Sequence, residues 1–284
     1  MENIFFTWDN FIDGFGKEMV ISDDVFNGMV KSGLKDNCLT KMDFTFISDK
    51  KDSLIKLSEF IKTHYPYSVQ EVQKFGKIWE INGVTNEIPL TADNLLYWVL
   101  DMYKRGYEFD AKLDAYGGPF DPKNQTFPNL ETLKGDYYFD KGLECYENGD
   151  LSGAIINWTL TITINPKDPN AYYSRAIVKD ELYTWKSALK DYDKAIEIAP
   201  DFISALTNRG SLKDENRDYN GAIEDYNKVL SFEKIEIEDK QRAYYNRGNS
   251  KLNLGDKKGA CEDWQQAFDY GATYAKERLN EYCK

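Results

Sequence analysis

Two patterns of hydrophobic and polar positions divide the chain, and the change between them falls near residues 116–133. Before it, short stretches with an apolar residue at every second position alternate with stretches that repeat every three to four positions. These periods are typical of half-buried strands and of amphipathic helices, respectively. After it, the pattern is almost wholly helical. Glycine and proline punctuate the polar stretch from Gly117 to Pro128, so we place a linker at residues 121–133.

The first half predicts an alternating order of strands and helices. We expect strands at residues 41–48, 67–74, 77–82 and 107–116, and helices at residues 25–32, 53–63 and 95–105. The resulting order, β-α-β-β-α-β, is that of the ferredoxin-like fold, which has helices on one face of an antiparallel sheet. The predicted fold class is therefore α+β here, with a ferredoxin-like domain at residues 20–120 whose other sheet face is available to a partner.

The first 19 residues are unusually aromatic. The rings belong to Phe5, Phe6, Trp8, Phe11 and Phe15. Their spacing allows an amphipathic helix or an extended arm. We expect an arm that packs on the sheet or on the second half of the chain, and a partner-binding motif is the alternative, because a free tail with this much apolar surface favours aggregation.

Small and aromatic residues recur every 34 positions in the second half, with a four-residue insertion before the last copy. The recurring residues are Gly142, Ala176, Gly210 and Gly248; Ala154, Ala188, Ala222 and Ala260; and Trp158, Tyr192, Tyr226 and Trp264. Glycine or alanine allows two helices to approach closely, and proline at the end of a copy stops a helix. The period predicts four antiparallel helix pairs that must stack to bury their apolar faces. Residues 271–284 are predicted to form a polar capping helix.

This pattern resembles the tetratricopeptide repeat (TPR), and the resemblance covers residues 134–284. It implies an all-α TPR solenoid that binds proteins in a concave groove lined by the first helix of each pair. Four aromatic residues occupy offsets that face such a groove: Phe139, Tyr146, Tyr173 and Tyr245. Aromatic rings in a groove can hold an extended peptide or a helix. The alternative is that they pack within the solenoid or against the first domain.

Three arginines, Arg175, Arg209 and Arg247, also recur at matching offsets. They could form a ladder that binds carboxylates of a partner. Alternatively, they are structural and pair with acidic residues of the neighbouring repeat. Asn208, Asn246 and Asn249 match part of the carboxylate clamp of the family, whose full residue set is absent.

Three short stretches of the first half, Leu90–Asp93, Gly106–Asp110 and Tyr116–Gly118, resemble the regulator of ribonuclease E activity B family. Members of that family are small acidic proteins with a ferredoxin-like fold. The resemblance implies a protein that inhibits an endoribonuclease by binding the enzyme rather than the RNA. Residues 113–119 depart from the family, since a Tyr-Asp-Gly-Trp run usually ends the last strand.

Acidic residues outnumber basic ones by 48 to 36, which gives a net charge of −12. This balance argues against a nucleic-acid backbone or an anionic membrane as the main partner and favours a basic protein. Glu108, Asp110 and Asp114 share the outer face of the last predicted strand. They could bind a cation, but we expect a solvated edge or an acidic docking face, because metal sites need ligands from several converging elements.

The sequence carries no motif of a phosphate-binding loop, a dinucleotide site or a zinc protease. The single histidine, His64, has no serine or cysteine partner placed for catalysis. The four cysteines, Cys38, Cys145, Cys261 and Cys283, lack CxxC spacing, so we expect reduced thiols in a cytoplasmic protein. No apolar run is long enough to span a bilayer, and no secretory signal is evident. We expect no cofactor, no metal and no enzymatic activity.

These observations favour a non-catalytic regulatory protein that binds another protein, with a ribonuclease or another basic nucleic-acid-processing protein as the expected partner. Two alternatives remain open: an immunity protein that neutralises a toxin such as a nuclease, and a general TPR adaptor or scaffold.

Overall fold

The computed structural model describes residues 3–131 and 134–283, and the chain divides into two compact units, Met1–Pro166 and Lys167–Lys284. The helices are α1 (Trp8–Lys31), α2 (Lys51–His64), α3 (Ala92–Glu108), α4 (Gly135–Glu147), α5 (Leu151–Ile164), α6 (Pro169–Glu181), α7 (Trp185–Ile198), α8 (Ile203–Glu215), α9 (Tyr219–Leu230), α10 (Ile237–Asn253), α11 (Lys257–Asp269) and α12 (Ala275–Tyr282). The strands are β1 (Cys38–Thr40), β2 (Asp43–Ser48), β3 (Ser68–Val69), β4 (Gln73–Phe75), β5 (Ile78–Val84), β6 (Ile88–Leu90) and β7 (Lys112–Gly117). None of the helices within the described ranges is long and apolar enough to cross a membrane.

The first unit contains two small antiparallel sheets. In the larger one, β2 lies between β5 and β7, and β5 also pairs with β3 and β4. β1 and β6 form a separate two-stranded sheet. The alternation along β2 buries Phe44 and Phe46, and Phe46 lies opposite both Ile81 and Leu113 in the register. The buried faces of α2 and α3, with Leu57 and Trp98, complete this core.

Trp8, Phe11 and Phe15 of the N-terminal aromatic segment belong to the helix α1, which continues to Lys31, whereas Phe5 and Phe6 precede it. The ring of Phe11 is 1% exposed and stacks on Tyr103 of α3, with the ring centroids 5.3 Å apart. A Cβ at Gly14 would overlap the hydroxyl of Tyr103, so only glycine allows α1 to approach α3 at this point. Trp8, by contrast, is 49% exposed.

The prediction of a ferredoxin-like domain at residues 20–120 is wrong. Helices dominate the structure, the sheets are small, and these residues do not form a distinct domain. The compact unit that holds them also includes the whole of α1 and the helix pair α4–α5. The reason is physical: α3 buries side chains on α1 and on the start of α5 as well as on the sheet, so its packing extends beyond the predicted domain.

The last strand of this region begins later than predicted. α3 continues to Glu108, Asp110 has a positive φ of 53°, and β7 starts only at Lys112. The alternating residues from position 107 onward suggested a strand, but Tyr107 packs on Phe11 with ring centroids 4.9 Å apart. The contacts of this extra helical turn with α1 therefore stabilise a helix where the alternating residues indicated a strand.

Residues 135–269 form four helix pairs, α4–α5, α6–α7, α8–α9 and α10–α11, as the 34-residue period predicts. In three of the pairs, the glycine of the first helix packs on the aromatic residue of its own second helix, and α6 has Ala176 at this position. A Cβ at Gly142 would lie 2.4 Å from Nε1 of Trp158, and one at Gly210 would lie 2.7 Å from Cε1 of Tyr226. Small residues therefore recur because the helices of a pair touch there.

The expectation of four reduced thiols is wrong for two of them. Cys261 of α11 and Cys283, which follows α12, form a disulfide. The bond joins α12 to the last helix pair, where the ring of Tyr282 also packs on Trp264. Cys38 and Cys145 are free. The cysteine argument for a cytoplasmic protein therefore no longer applies to the whole set.

Candidate protein-binding surface

The three recurring arginines of the second unit hold their helix pairs together. In each pair the guanidinium donates two hydrogen bonds, from Nε and Nη2, to an aspartate 16 residues later. The pairs are Arg175 with Asp191, Arg209 with Asp225 and Arg247 with Asp263, at 2.5–3.0 Å. Each of these aspartates lies on the second helix of the same pair. Arg209 also donates from Nη1 to Asp193 on α7, in the neighbouring repeat, at 2.6 Å.

A lysine one turn after each arginine binds the same aspartate. The nitrogen–oxygen distances are 2.9 Å for Lys179, 2.9 Å for Lys213 and 2.8 Å for Lys251. We call each set of arginine, lysine and aspartate an ionic staple. A bidentate arginine contact with a second cation on a buried carboxylate is among the stronger ion-pair geometries. In the first unit, the corresponding positions of α4 and α5 hold Lys141, Cys145 and Asn157.

The first helices of the second unit present a row of polar side chains that connects successive pairs. Asn208 of α8 donates to the hydroxyl of Tyr173 on α6 at 3.2 Å. Asn246 of α10 donates to the hydroxyl of Ser211 on α8 at 3.4 Å. We call this surface of α6, α8 and α10 the first-helix face. These contacts cross from pair to pair, so the face is continuous across α6, α8 and α10.

Carboxylates cluster where the first helices end. Burial raises the pKa of Asp180 to about 6, and the nearby charges of Glu215 and Glu181 add to the effect. Burial also raises the pKa of Asp214, which accepts hydrogen bonds from Ser250. The charged form of Asp180 is therefore disfavoured, and a cation placed here would relieve the repulsion.

The four predicted groove aromatics belong to different units of the chain. Phe139 and Tyr146 lie on α4 in the first unit, and both pack on Trp158 of α5 at 6.5 and 6.2 Å between ring centroids. In the second unit, Tyr173 packs on Phe202 and Tyr245 on Tyr274, each at 4.8 Å. Tyr173 and Tyr245 therefore lie on the first helices α6 and α10, and each packs on another aromatic ring.

The three carboxylates predicted to share one strand face do not converge. Glu108 ends α3 and accepts from Arg105, at 2.8 Å, whereas Asp114 lies on β7 beside Lys112. Asp110 is 7% exposed and accepts from the backbone N–H groups of Phe5 and Phe6, both at 2.8 Å. Although burial acts in the opposite direction, Lys50 and these backbone groups hold the pKa of Asp110 below its ordinary value. Asp110 therefore holds the backbone of Phe5 and Phe6 against the end of α3.

A buried polar cluster joins α3 to the turn between α4 and α5. Asp101 accepts from the backbone N–H of Ser152 at 3.0 Å, and Arg105 donates to the carbonyl oxygen of Gly149 at 2.8 Å. Asp150 is the N-cap of α5, and its Oδ1 accepts from the N–H of Gly153 at 2.7 Å. Burial raises the pKa of Asp150 to about 7, and the carboxylate of Asp101 adds to the effect. The cluster therefore holds α3 against the turn between α4 and α5.

His64, the single histidine, lies at the end of α2 and its Nδ1 is 2.6 Å from the carbonyl oxygen of Asn148. It has a structural contact in the first unit. Sequence reasoning missed the lysines and aspartates of the staples, although Lys179 and Asp191 recur with the same 34-residue interval as the arginines. It missed the Asp101–Asp150 cluster because 49 positions separate residues that carry no recognisable spacing.

Comparison with solved structures gives several similar chains. The first TPR of Spaghetti, bound to an HSP90 peptide, is 21% identical, with 43% of this chain and 94% of that chain covered and a TM-score of 0.40. MamA of Desulfovibrio magneticus RS-1 is 18% identical, with 52% and 86% covered and a TM-score of 0.45. The pilF protein of Pseudomonas aeruginosa is 21% identical, with 49% and 61% covered and a TM-score of 0.45.

These matches give no support to the resemblance with the regulator of ribonuclease E activity B family. The family model of the tetratricopeptide repeat matches residues 203–234, which contain α8 and α9. The chain therefore contains a tetratricopeptide repeat.

Proposed function

We propose that this protein is a non-catalytic adaptor or scaffold that binds a segment of a partner protein on its first-helix face. One observation carries the proposal: Asn208 and Asn246 extend a row of polar and aromatic groups across three first helices. The ionic staples fix the helices within each pair. A preorganised surface of this kind lowers the entropic cost of holding an extended segment.

The chemistry of the face favours a basic segment. Asp180 and Glu215 place negative charge at the ends of α6 and α8, and their mutual repulsion is relieved when a lysine or arginine binds between them. The more specific prediction of a ribonuclease partner depended on the ferredoxin-like fold of residues 20–120. With that fold corrected, the general adaptor is the reading that the repeat supports.

Site-specific photo-crosslinking tests the proposal in the full chain. A photoreactive residue replaces Ser211 on the first-helix face or, as a control, Lys190 on the exposed surface of α7. We expect a partner protein to crosslink from position 211 and not from position 190. The double variant N208A/N246A should reduce that crosslink, and D180N/E215Q should reduce it for a basic partner. Equal crosslinking from both positions contradicts the proposal.

A further inference from the structure

The outer side of α1 carries a stripe of exposed apolar residues, of which Trp8 also packs on Phe11 and Tyr107 with ring centroids 5.5 Å apart. Five large apolar residues along it are exposed: Trp8 49%, Ile12 52%, Met19 37%, Val20 62% and Val30 43%. On a helix with 3.6 residues per turn they fall within about one third of the circumference. Exposed apolar residues are usually scattered singly on a protein surface, so five of them on one side of a helix are typical of a protein-binding site.

Folding of the first unit does not explain this stripe. A second side of α1, with Phe11 and Met29, already packs into the core. α1 therefore has two apolar sides, and the first unit buries one of them. A surface helix that needs only one buried side usually carries polar residues on the other.

The charges on α1 identify what could cover the stripe. α1 contains five acidic residues and two lysines. By the same helical spacing, Asp9 and Asp23 lie within the stripe, and Asp13, Asp24 and Lys31 follow one border. Among the described residues, none of these four carboxylates has a lysine, arginine or histidine nitrogen within 4.0 Å. A second copy of α1 would bring like charges together, and an anionic bilayer would be repelled in the same way.

Gly16 lies in the middle of the stripe. A glycine inside a helix costs about 1 kcal/mol relative to alanine, and a Cβ at Gly16 would meet no atom within 4 Å. Gly14 differs, because Tyr103 occupies the space beside it. The absence of a side chain at position 16 would let a partner's backbone approach closely between Ile12 and Val20.

We infer that the outer side of α1 is a docking surface for an amphipathic helix of a partner protein, with the partner's apolar residues on the stripe and its lysines or arginines beside Asp9 and Asp13. α1 has 24 residues, which is long enough to hold a partner helix of about five turns. This surface is in the first unit, so it is independent of the first-helix face.

The test uses three synthetic peptides of about 18 residues, titrated into the full chain by calorimetry. One is a leucine–lysine peptide with leucines at helical spacing. The second has the same composition in a scrambled order, and the third replaces lysine by glutamate. We expect the first to bind with a stoichiometry of one and more tightly than the other two.

Variants locate the binding site. I12S/V20S should weaken the leucine–lysine peptide by about tenfold or more, and D9N/D13N should weaken it and reduce its salt dependence. G16A should also weaken it, although alanine favours the helix. The matched control is I237S, because Ile237 is 54% exposed on α10 and should not affect binding.

Four results would overturn the inference: no binding by any peptide, equal binding of the scrambled or the glutamate peptide, equal binding by I12S/V20S and the wild type, or a loss with I237S as large as that with I12S/V20S.

Sedimentation and vesicle binding test whether a second copy of the chain or a membrane covers the stripe instead. A dimer that I12S/V20S dissociates would assign the stripe to a second copy. Binding of the chain to phosphatidylserine vesicles through the stripe would assign it to a membrane. Circular dichroism and thermal unfolding of each variant verify that these exposed substitutions leave the fold intact.

Discussion

Asp150 should make the first unit less stable as the pH rises. In the unfolded chain its carboxyl has the ordinary pKa of 3.8, whereas burial and the carboxylate of Asp101 raise that pKa to about 7 in the folded protein. Between these values the folded state binds a proton that the unfolded state lacks. The stabilisation is therefore full below the lower pKa and is lost as the pH rises through the higher one.

The magnitude follows from the difference between the two pKa values. One pKa unit corresponds to 1.36 kcal/mol, so about three units correspond to roughly 4 kcal/mol. The substitution D150N removes the titration and keeps an oxygen acceptor for the N–H of Gly153, and asparagine is as good an N-cap as aspartate. We expect the free energy of unfolding of the wild type to decrease by up to roughly 4 kcal/mol, relative to D150N, between about pH 4 and pH 8.

Hydrogen exchange of peptides from α3 and α5, followed by mass spectrometry across this pH range and corrected for intrinsic exchange, measures the effect locally. The matched control is D256N. Asp256 is an exposed N-cap that accepts from the N–H of Gly259 at 2.9 Å, in the same relation as Asp150 to Gly153. D256N should keep the pH dependence of the wild type. If D150N retains the same pH dependence as the wild type, the argument from the buried carboxylates is refuted.

Three further predictions concern the second unit, and urea unfolding measures each. D225N leaves two cations of a staple without their buried carboxylate and should lower the free energy of unfolding by about 3 kcal/mol. D193N, at a carboxylate that is 60% exposed, should lower it by less than about 1 kcal/mol. Equal losses for the two variants would contradict the stabilising role of the staple. G210A should cost about 1–3 kcal/mol, because its Cβ would lie 2.7 Å from Tyr226, and a stabilised variant would contradict the close packing. C283S should lose about 3 kcal/mol with the disulfide, and a reductant should abolish the difference from the wild type; a difference that persists would point to packing instead.

The repeat could be predicted because its signal is local and physical. A small residue is needed wherever two helices touch, so Gly142, Ala176, Gly210 and Gly248 mark the four first helices. An aromatic residue such as Trp158 or Tyr226 marks the second helix of the pair. The N-caps of α5 and α11 are Asp150 and Asp256, and aspartate is among the residues preferred at that position. Where the helices begin and end therefore follows closely from the sequence.

The first half was harder because tertiary contacts decide its elements. The alternating residues after Gly106 indicated a strand, but contacts of Tyr107 with α1 extend α3 by a turn. The pairing of Cys261 with Cys283 has no spacing signal, since it depends on how α12 folds back. The first-helix face could be predicted only in part: Asn208, Asn246 and Tyr173 were visible in the sequence, whereas Ser211 and the hydrogen bonds that join these residues were not.

The ionic staples have a consequence for how the array can change length. Arginine, lysine and aspartate of each staple all belong to one helix pair, as with Arg209, Lys213 and Asp225 in α8–α9. A duplicated or deleted block of one repeat thus carries its complete set of charges with it. Insertion or loss of a whole pair strands no buried carboxylate of a staple, so the array is suited to growth and shortening by gene duplication and to redesign by the addition of modules.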